Sequence, residues 1–367
     1  MVLVGGGHAH LRVLESLRTE KWPPVRAILL TPEVEHTYSG MVPGYLQGRY
    51  ASGELTIDLR TLCEAAGAEL LLASAQKVDV KSRTIQTATG SLSFTIASLD
   101  IGSSPEGYAL PGVAEHALTL RPMSAATKLR DALDEVAAGA QGSLRIAVVG
   151  GGAGGVEVAL AMAARLKRRG AIAEVVLIER GAEILSGYPS RARRIIEELL
   201  RQRGGRILKR TEVRGVGPGS LELANERRLD IDLLVWISGA APPPLLHDSD
   251  LPLAGDGFFA VDEHLQSSDG SPLWGAGDCI AFGGQNLARA GVYPVRQGPI
   301  LAHNLRATLE GKAPIRYRPR STFLSLLNTS DGRALLRWRG LVLHGRTSWI
   351  LKDRIDRGFI RRYTLQE

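Results

Sequence analysis

Three stretches of this chain carry residues whose types and order fit nucleotide chemistry. The first is VLVGGGHAHLRVLESL, an apolar strand running into Gly5, Gly6 and Gly7 and then into an amphipathic helix. Gly5 permits the tight turn out of the strand. Gly7 has no Cβ, so the backbone can approach a pyrophosphate lying on the helix N-terminus. The third glycine of G-x-G-x-x-G is replaced by His10. A histidine there should push helix and strand apart or swing outward, leaving His8 and His10 as hydrogen-bonding groups at the rim. Taken alone, the stretch fits a phosphate cradle and an ordinary strand-turn-helix equally.

The second stretch, LRIAVVGGGAGGVEVALAMAARL, has the full spacing of Gly150, Gly152 and Gly155, and the next strand, EVVLIE, ends on Glu179. An acid there binds a ribose diol and repels a 2′-phosphate, so NADH is expected ahead of NADPH although Arg180 follows. In the first unit Thr31 holds the equivalent place, and Glu33 is the nearest acid. The third stretch, SPLWGAGDCIAF, leads a strand into Gly275, Gly277 and Asp278. AGVYPVRQGPILAHNL then starts a helix whose positive end faces whatever lies near Tyr293, Gln297 and Gly298.

These stretches need a repeated scaffold to position them. Each glycine unit is followed by a helix, short alternating strands and an apolar strand. Each then ends on a glycine turn, Gly102 or Gly239, and a proline-bearing loop. Two copies of one plan predict an α/β chain with two tandem nucleotide-binding units.

Composition narrows the classes. The 367 residues suggest two or three domains, and no apolar run approaches the roughly 18 residues of a membrane span. With a strand predicted from residue 2 there is no room for a signal peptide, so a cytoplasmic protein is expected. Cys63 and Cys279 are far apart, without C-x-x-C or metal-ligand spacing, so thiol and metal chemistry are not expected. Residues 319–367 carry ten Lys/Arg against four Asp/Glu, nearly all of the net +7. Positive charge so confined argues against nucleic-acid binding. In TSWILKDRIDRGFIRRYTL, Leu351, Ile355, Phe359 and Tyr363 recur every four residues among basic residues. That helix suits an anionic membrane surface or packing on the first unit.

With these elements in this order, the chain resembles the two-dinucleotide-binding-domain flavoproteins of the pyridine nucleotide-disulfide oxidoreductase superfamily. Within them it is similar to type II NADH dehydrogenases, in particular the NADH-dehydrogenase-like proteins sometimes fused to selenophosphate synthetase. GGGHAHLRVL, TYSGMVPGYLQGRY, GVYPVRQGPILAHNL and LLNTSDGRAL carry that closer likeness. The resemblance implies two Rossmann-like domains, the second inserted in the first: FAD-binding residues 1–118 and 245–318, NAD(P)H-binding residues 119–244 and a basic segment 319–367. It implies FAD pyrophosphate on Gly5, Gly7 and the amides of His8, Ala9 and His10. It sets Ser39 and Gly40 against the ribityl chain or flavin ring, Val78 beside adenine through its backbone, Asp278 on a ribityl hydroxyl, and Tyr293 to Gln297 at the pyrimidine edge. Gly150, Gly152, Gly155 and Glu179 would hold NADH, with Glu157 on the nicotinamide side. Hydride would pass between the cofactors, with Gln297 and His8 the candidates nearest the flavin, and electrons would go on to a small acceptor, a quinone first. The alternatives are a reductase of sulfur or selenium compounds and a flavin-bearing accessory protein of selenophosphate metabolism. Sulfide oxidation in related quinone reductases uses a cysteine pair at the flavin, and this chain offers only Cys279. Selenophosphate synthetase, a second copy of the chain and a peripheral membrane surface are the partners to test.

Overall fold

The computed structural model describes residues 1–365 apart from 225, 286 and 321. The first unit contains β1 (Val2–Val4), α1 (His8–Thr19), β2 (Ile28–Thr31), β3 (Glu69–Leu72) and β4 (Ala97–Leu99). The second contains β5 (Leu118–Thr119), β6 (Leu144–Val149), α2 (Ala153–Arg168), β7 (Ala173–Ile178), β8 (Arg206–Leu208) and β9 (Leu233–Trp236). The chain then returns to the first unit with β10 (Leu273–Gly275) and α3 (Val292–Leu309). A hairpin-linked sheet follows, β11 (Ser325–Asn328), β12 (Ala334–Trp338) and β13 (Leu341–Gly345), and then α4 (Arg346–Tyr363).

Two five-stranded parallel sheets result, in the orders β10-β4-β1-β2-β3 and β5-β9-β6-β7-β8. Their central strands read VLV, LRIAVV and AEVVLI, apolar with little alternation, because parallel strands are covered on both faces. The second sheet lies in sequence between β4 and β10, so one α/β unit is inserted in the other. Leu118 pairs with Val235. The first crossing therefore falls before residue 118, slightly ahead of the boundary expected from the sequence. The two crossings run side by side as a short antiparallel ribbon, Ser104–Pro105 against Ala240–Ala241.

The C-terminal helix departs from its apolar pattern. The expected stripe of Leu351, Ile355, Phe359 and Tyr363 is split. Tyr363 is buried and Phe359 half-buried, whereas Leu351 is 39% and Ile355 44% exposed. The inward face is Trp349, Lys352, Asp356, Ile360 and Tyr363. Polar anchoring explains the rotation. The Lys352 ammonium donates to the Gly40 carbonyl and to Asp356, each at 2.7 Å. The Tyr38 and Tyr50 hydroxyls donate to Asp356 and Asp353, and Arg357 pairs with Glu54. Behind the helix, the Asn328 amide at the end of β11 donates to Glu157 of α2 at 2.6 Å. Segment 325–363 is thus a clasp fastened to both nucleotide units.

Because Lys352 and Asp356 are 6% and 5% exposed as side chains, their pairing has a directional energetic signature. Asp356→Ala strands a buried ammonium and is expected to cost about 3 kcal/mol, while the double change Lys352→Met, Asp356→Leu should cost far less. Urea unfolding of the two variants reads the difference.

Candidate functional site

The two glycine loops solve one geometric problem in different ways. Gly5 has φ +92° and Gly150 φ +115°, which L side chains rarely adopt. A Cβ at Gly155 would strike the Gly150 carbonyl, so the third glycine of the second loop is required by close approach. His10 takes that place in the first loop, and the structure corrects its expected position at the rim. The ring is fully buried; Nδ1–H donates to the Gly5 carbonyl at 2.6 Å and Nε2 accepts from the Ser98 hydroxyl at 2.9 Å. Burial pushes its pKa down to about 4, so it is a neutral bracket between turn and sheet.

In front of this loop lies a cavity of about 430 Å³. Of the residues expected there, Gly5, Gly7, His8, Glu33, Ser39, Gly102, Gly277 and Asp278 line it. His36 joins them, its ring edge-on to His8 at 4.6 Å and its Nδ1 on the Gly6 carbonyl. The Nε2 atoms of His8 and His36 are buried without partners. Burial drives the pKa of His8 far down and that of His36 to about 4. Both rings are therefore neutral, each with a nitrogen buried behind the cavity wall. Burial raises the Asp278 carboxyl, and Arg121 and Arg289 pull it back. The start of α3 contributes Gly291 and Pro294 to the wall. Gln297 accepts from the Gly277 amide at 2.8 Å. With Tyr293 it lines a second cavity of about 540 Å³, which shares Gly277 and Asp278 with the first.

Other expected residues stand apart. The Val78 amide donates to the Ser249 hydroxyl at 2.8 Å, its carbonyl accepts from Asp250, and Ser74 and Ala75 reach the cavity instead. The Gly40 carbonyl is held by Lys352. The amides of Ala9 and His10 are already taken by Asp100 Oδ2, at 2.7 and 3.2 Å. Glu157 faces the clasp rather than the second glycine loop, and burial lifts its pKa to about 7. Asp100 and Lys352 had no sequence signal beyond an acid after an apolar strand and an i, i+4 charge pair.

In the second unit a Cβ at Gly152 would meet nothing within 4 Å, so the loop is open. Glu179 closes on its own backbone, accepting from the Gly151 amide at 2.8 Å and the Gly181 amide at 2.6 Å. Arg180 is drawn off by Glu106 at 2.8 Å, and the Glu106 amide donates to the Gly239 carbonyl. Cys63 and Cys279 are free and buried, with burial pushing both thiols up to about 12. Among the described residues no group of His, Cys, Asp and Glu could hold a metal.

Residues 1–306 match the pyridine nucleotide-disulphide oxidoreductase family. The demethylphylloquinone reductase NdbB of Synechocystis sp. is 30% identical over 265 residues, 70% of this chain and 64% of that protein. This chain thus spans less than two thirds of that relative. The NADH dehydrogenase-like protein YutJ of Bacillus subtilis is 22% identical over 284 residues, 77% of each chain. Among solved structures, NDH2 from Plasmodium falciparum in complex with NADH has a TM-score of 0.84 at 15% identity, covering 99% of this chain and 96% of that one. The sulfide:quinone oxidoreductase from Aquifex aeolicus has 0.83 at 16%, covering 99% and 90%. Both structures share the fold.

The bracket role of His10 has a counterintuitive consequence. His10→Gly restores the six-residue fingerprint, yet it removes both buried hydrogen bonds, opens a void and adds a helical glycine. A loss of about 3 kcal/mol is expected, measured by thermal or urea unfolding.

Proposed function

Because the chain belongs to the pyridine nucleotide-disulphide oxidoreductase family, we propose that it is an FAD-dependent NADH oxidoreductase that delivers electrons to a quinone. One observation carries this reading. A strand-glycine-helix turn heads a lined cavity, a second such cradle with the full glycine spacing stands in the inserted unit, and both thiols are buried and un-ionised. FAD, when bound, supplies the hydride acceptance and two-electron chemistry that no side chain of this chain has.

The protein's share is positioning and electrostatics. The Gly5 to Gly7 turn and the N-terminus of α1 receive the pyrophosphate. The neutral rings of His8 and His36 back the wall, and Asp278, set between Arg121 and Arg289, accepts from a sugar-chain hydroxyl. The N-terminal end of α3 offers its positive dipole to negative charge arriving on the ring. Glu179 holds the ribose diol of NADH, and Glu106 keeps Arg180 from welcoming a 2′-phosphate. Glu157, poised to about 7 beside the Tyr38–Phe359 stack, is placed to hold a proton at the seam under the clasp. A dithiol cycle has no support, since neither sulfur is ionised or exposed. The acceptor is proposed as a quinone, following the demethylphylloquinone reductase of Synechocystis sp. that the chain resembles.

The clasp also presents Trp338, Leu341, Leu343, Ile350, Leu351 and Ile355 outward, 39–63% exposed, beside exposed Arg339, Arg346 and Arg354. No helix among the described residues is long and apolar enough to cross a membrane. We place this patch on the surface of an anionic bilayer, as a peripheral contact.

The purified protein should be yellow, bleach anaerobically with NADH, and recolour on adding a quinone. Glu179→Ser should narrow the NADH-over-NADPH preference in bleaching by about tenfold or more, a barrier change of 1.4 kcal/mol. Slow recolouring by every acceptor, with tight binding to selenophosphate synthetase, would favour an accessory role. Binding to anionic vesicles should fall steeply with salt and be lost on charge reversal at Arg339, Arg346 and Arg354, leaving bleaching intact. Arg357 is unsuited to that test because it is tied to Glu54 and Asp353. Vesicles that bind neither form, with elution as a dimer on gel filtration, would assign the patch to a second copy of the chain.

A further inference from the structure

The two glycine loops differ at one point that the shared fingerprint does not explain. In the second unit the space over Gly152 is open. In the first, a Cβ at Gly7 would land on the carboxylate of Asp100. That carboxylate, from the residue following β4, accepts from the Ala9 amide at 2.7 Å and the His10 amide at 3.2 Å. Asp100 is 4% exposed and lines the cavity. An acid side chain therefore already occupies the helix N-terminus on which the first unit would seat its ligand's pyrophosphate.

We propose that Asp100 is a proton-linked latch on the FAD site. As a carboxylate it occupies the α1 amides of the apoprotein, and it shares them with the cofactor's pyrophosphate only when it carries a proton. The inference rests on the assignment of FAD to the first unit. The physical reason is like-charge crowding. A pyrophosphate brings two negative charges to the amides an anionic Asp100 holds, in a site where burial strengthens repulsion. A protonated Asp100 removes that repulsion and offers an O–H to a phosphate oxygen. FAD binding is then coupled to the uptake of one proton by this side chain.

The surroundings set the working range. Burial raises Asp100 to about 7, against the pull of the Ala9 and His10 amides, and Asp278 adds to the rise. Arg121 and Arg289 act on Asp278 from the 121 and 289 segments. Cys279, which feels Asp100, is held as a neutral thiol at about 12. The His10 ring is neutral, and His36, at about 4, and His8, driven far down, do not titrate near neutrality. Of the groups named around the first glycine loop, Asp100 is thus the one poised to change charge between pH 6 and 8; Glu157, also at about 7, lies apart under the clasp. The sign follows. The apoprotein binds a proton less well than the FAD complex, so affinity is highest below about pH 7. It weakens as pH rises, approaching about tenfold per unit until the raised value of the complex is reached.

The test is FAD binding to apoprotein, followed by flavin fluorescence quenching from pH 6 to 9. Wild type should show a dissociation constant that climbs with pH. Asp100→Asn, which cannot ionise but keeps an acceptor for the amides, should bind FAD with little pH dependence and more tightly than wild type at pH 9. Calorimetry of wild type at pH 7.5 in buffers of different ionisation heat should record proton uptake, a readout that needs no variant. A flat wild-type profile with no proton uptake overturns the latch. So does a folded Asp100→Asn protein, checked by circular dichroism, that binds FAD far more weakly at every pH, since the carboxylate would then be a required anionic cap. If FAD fails to bind wild type at any pH, the cofactor assignment falls and the latch falls with it.

Discussion

The electropositive N-terminus of α1 is the constraint around which the first unit is arranged. Its amides must find an anion, and four chain segments converge to supply or frame one. The turn at Gly5 brings the backbone in, His10 ties that turn to the sheet through Ser98, and Asp100 approaches from the end of β4. Gly277 then brings the start of the Asp278 segment against Asp100, and Gln297 of α3 holds the Gly277 amide. Strand order matters here because β4 lies beside β1 and β10 beside β4, all parallel, so their C-terminal ends open on the same side as the glycine loop.

The second unit meets the same constraint with less apparatus. Glu179 bonds to the loop amide of Gly151, its third glycine allows close packing, and the space over Gly152 is clear. The contrast suggests different demands: a loop open to an exchanging ligand needs access, whereas one for a resident ligand can be braced and guarded. The buried bonds of His10 and Asp100 belong to the second kind.

Much of this was legible in the sequence because it rests on spacing. The glycines, Glu179 after its strand, Asp278 after its glycines, and the helix that begins near Tyr293 all stand where backbone geometry fixes them. What was hidden depends on which side chain wins a buried polar contact. His10 was expected at the rim because a ring seemed too large for the gap, but its nitrogens match a carbonyl and a hydroxyl on the inner side. Val78 was expected to offer its backbone, but the Ser249 hydroxyl had claimed the amide. For α4 the apolar period pointed one way and the structure another, since Lys352, Asp353 and Asp356 find partners on the first unit. Hydrophobic periodicity locates a helix well; it orients one only when no stronger polar bond competes.

The inward-facing lysine also sets an order of events during synthesis. Gly40, Tyr38 and Glu157 emerge from the ribosome long before Lys352, Asp356 and Asn328, their partners in the clasp. Both α/β units therefore emerge before this seam can be sealed. The last forty residues then act as a checkpoint, since a buried cation can settle only on units whose acceptors are already in place.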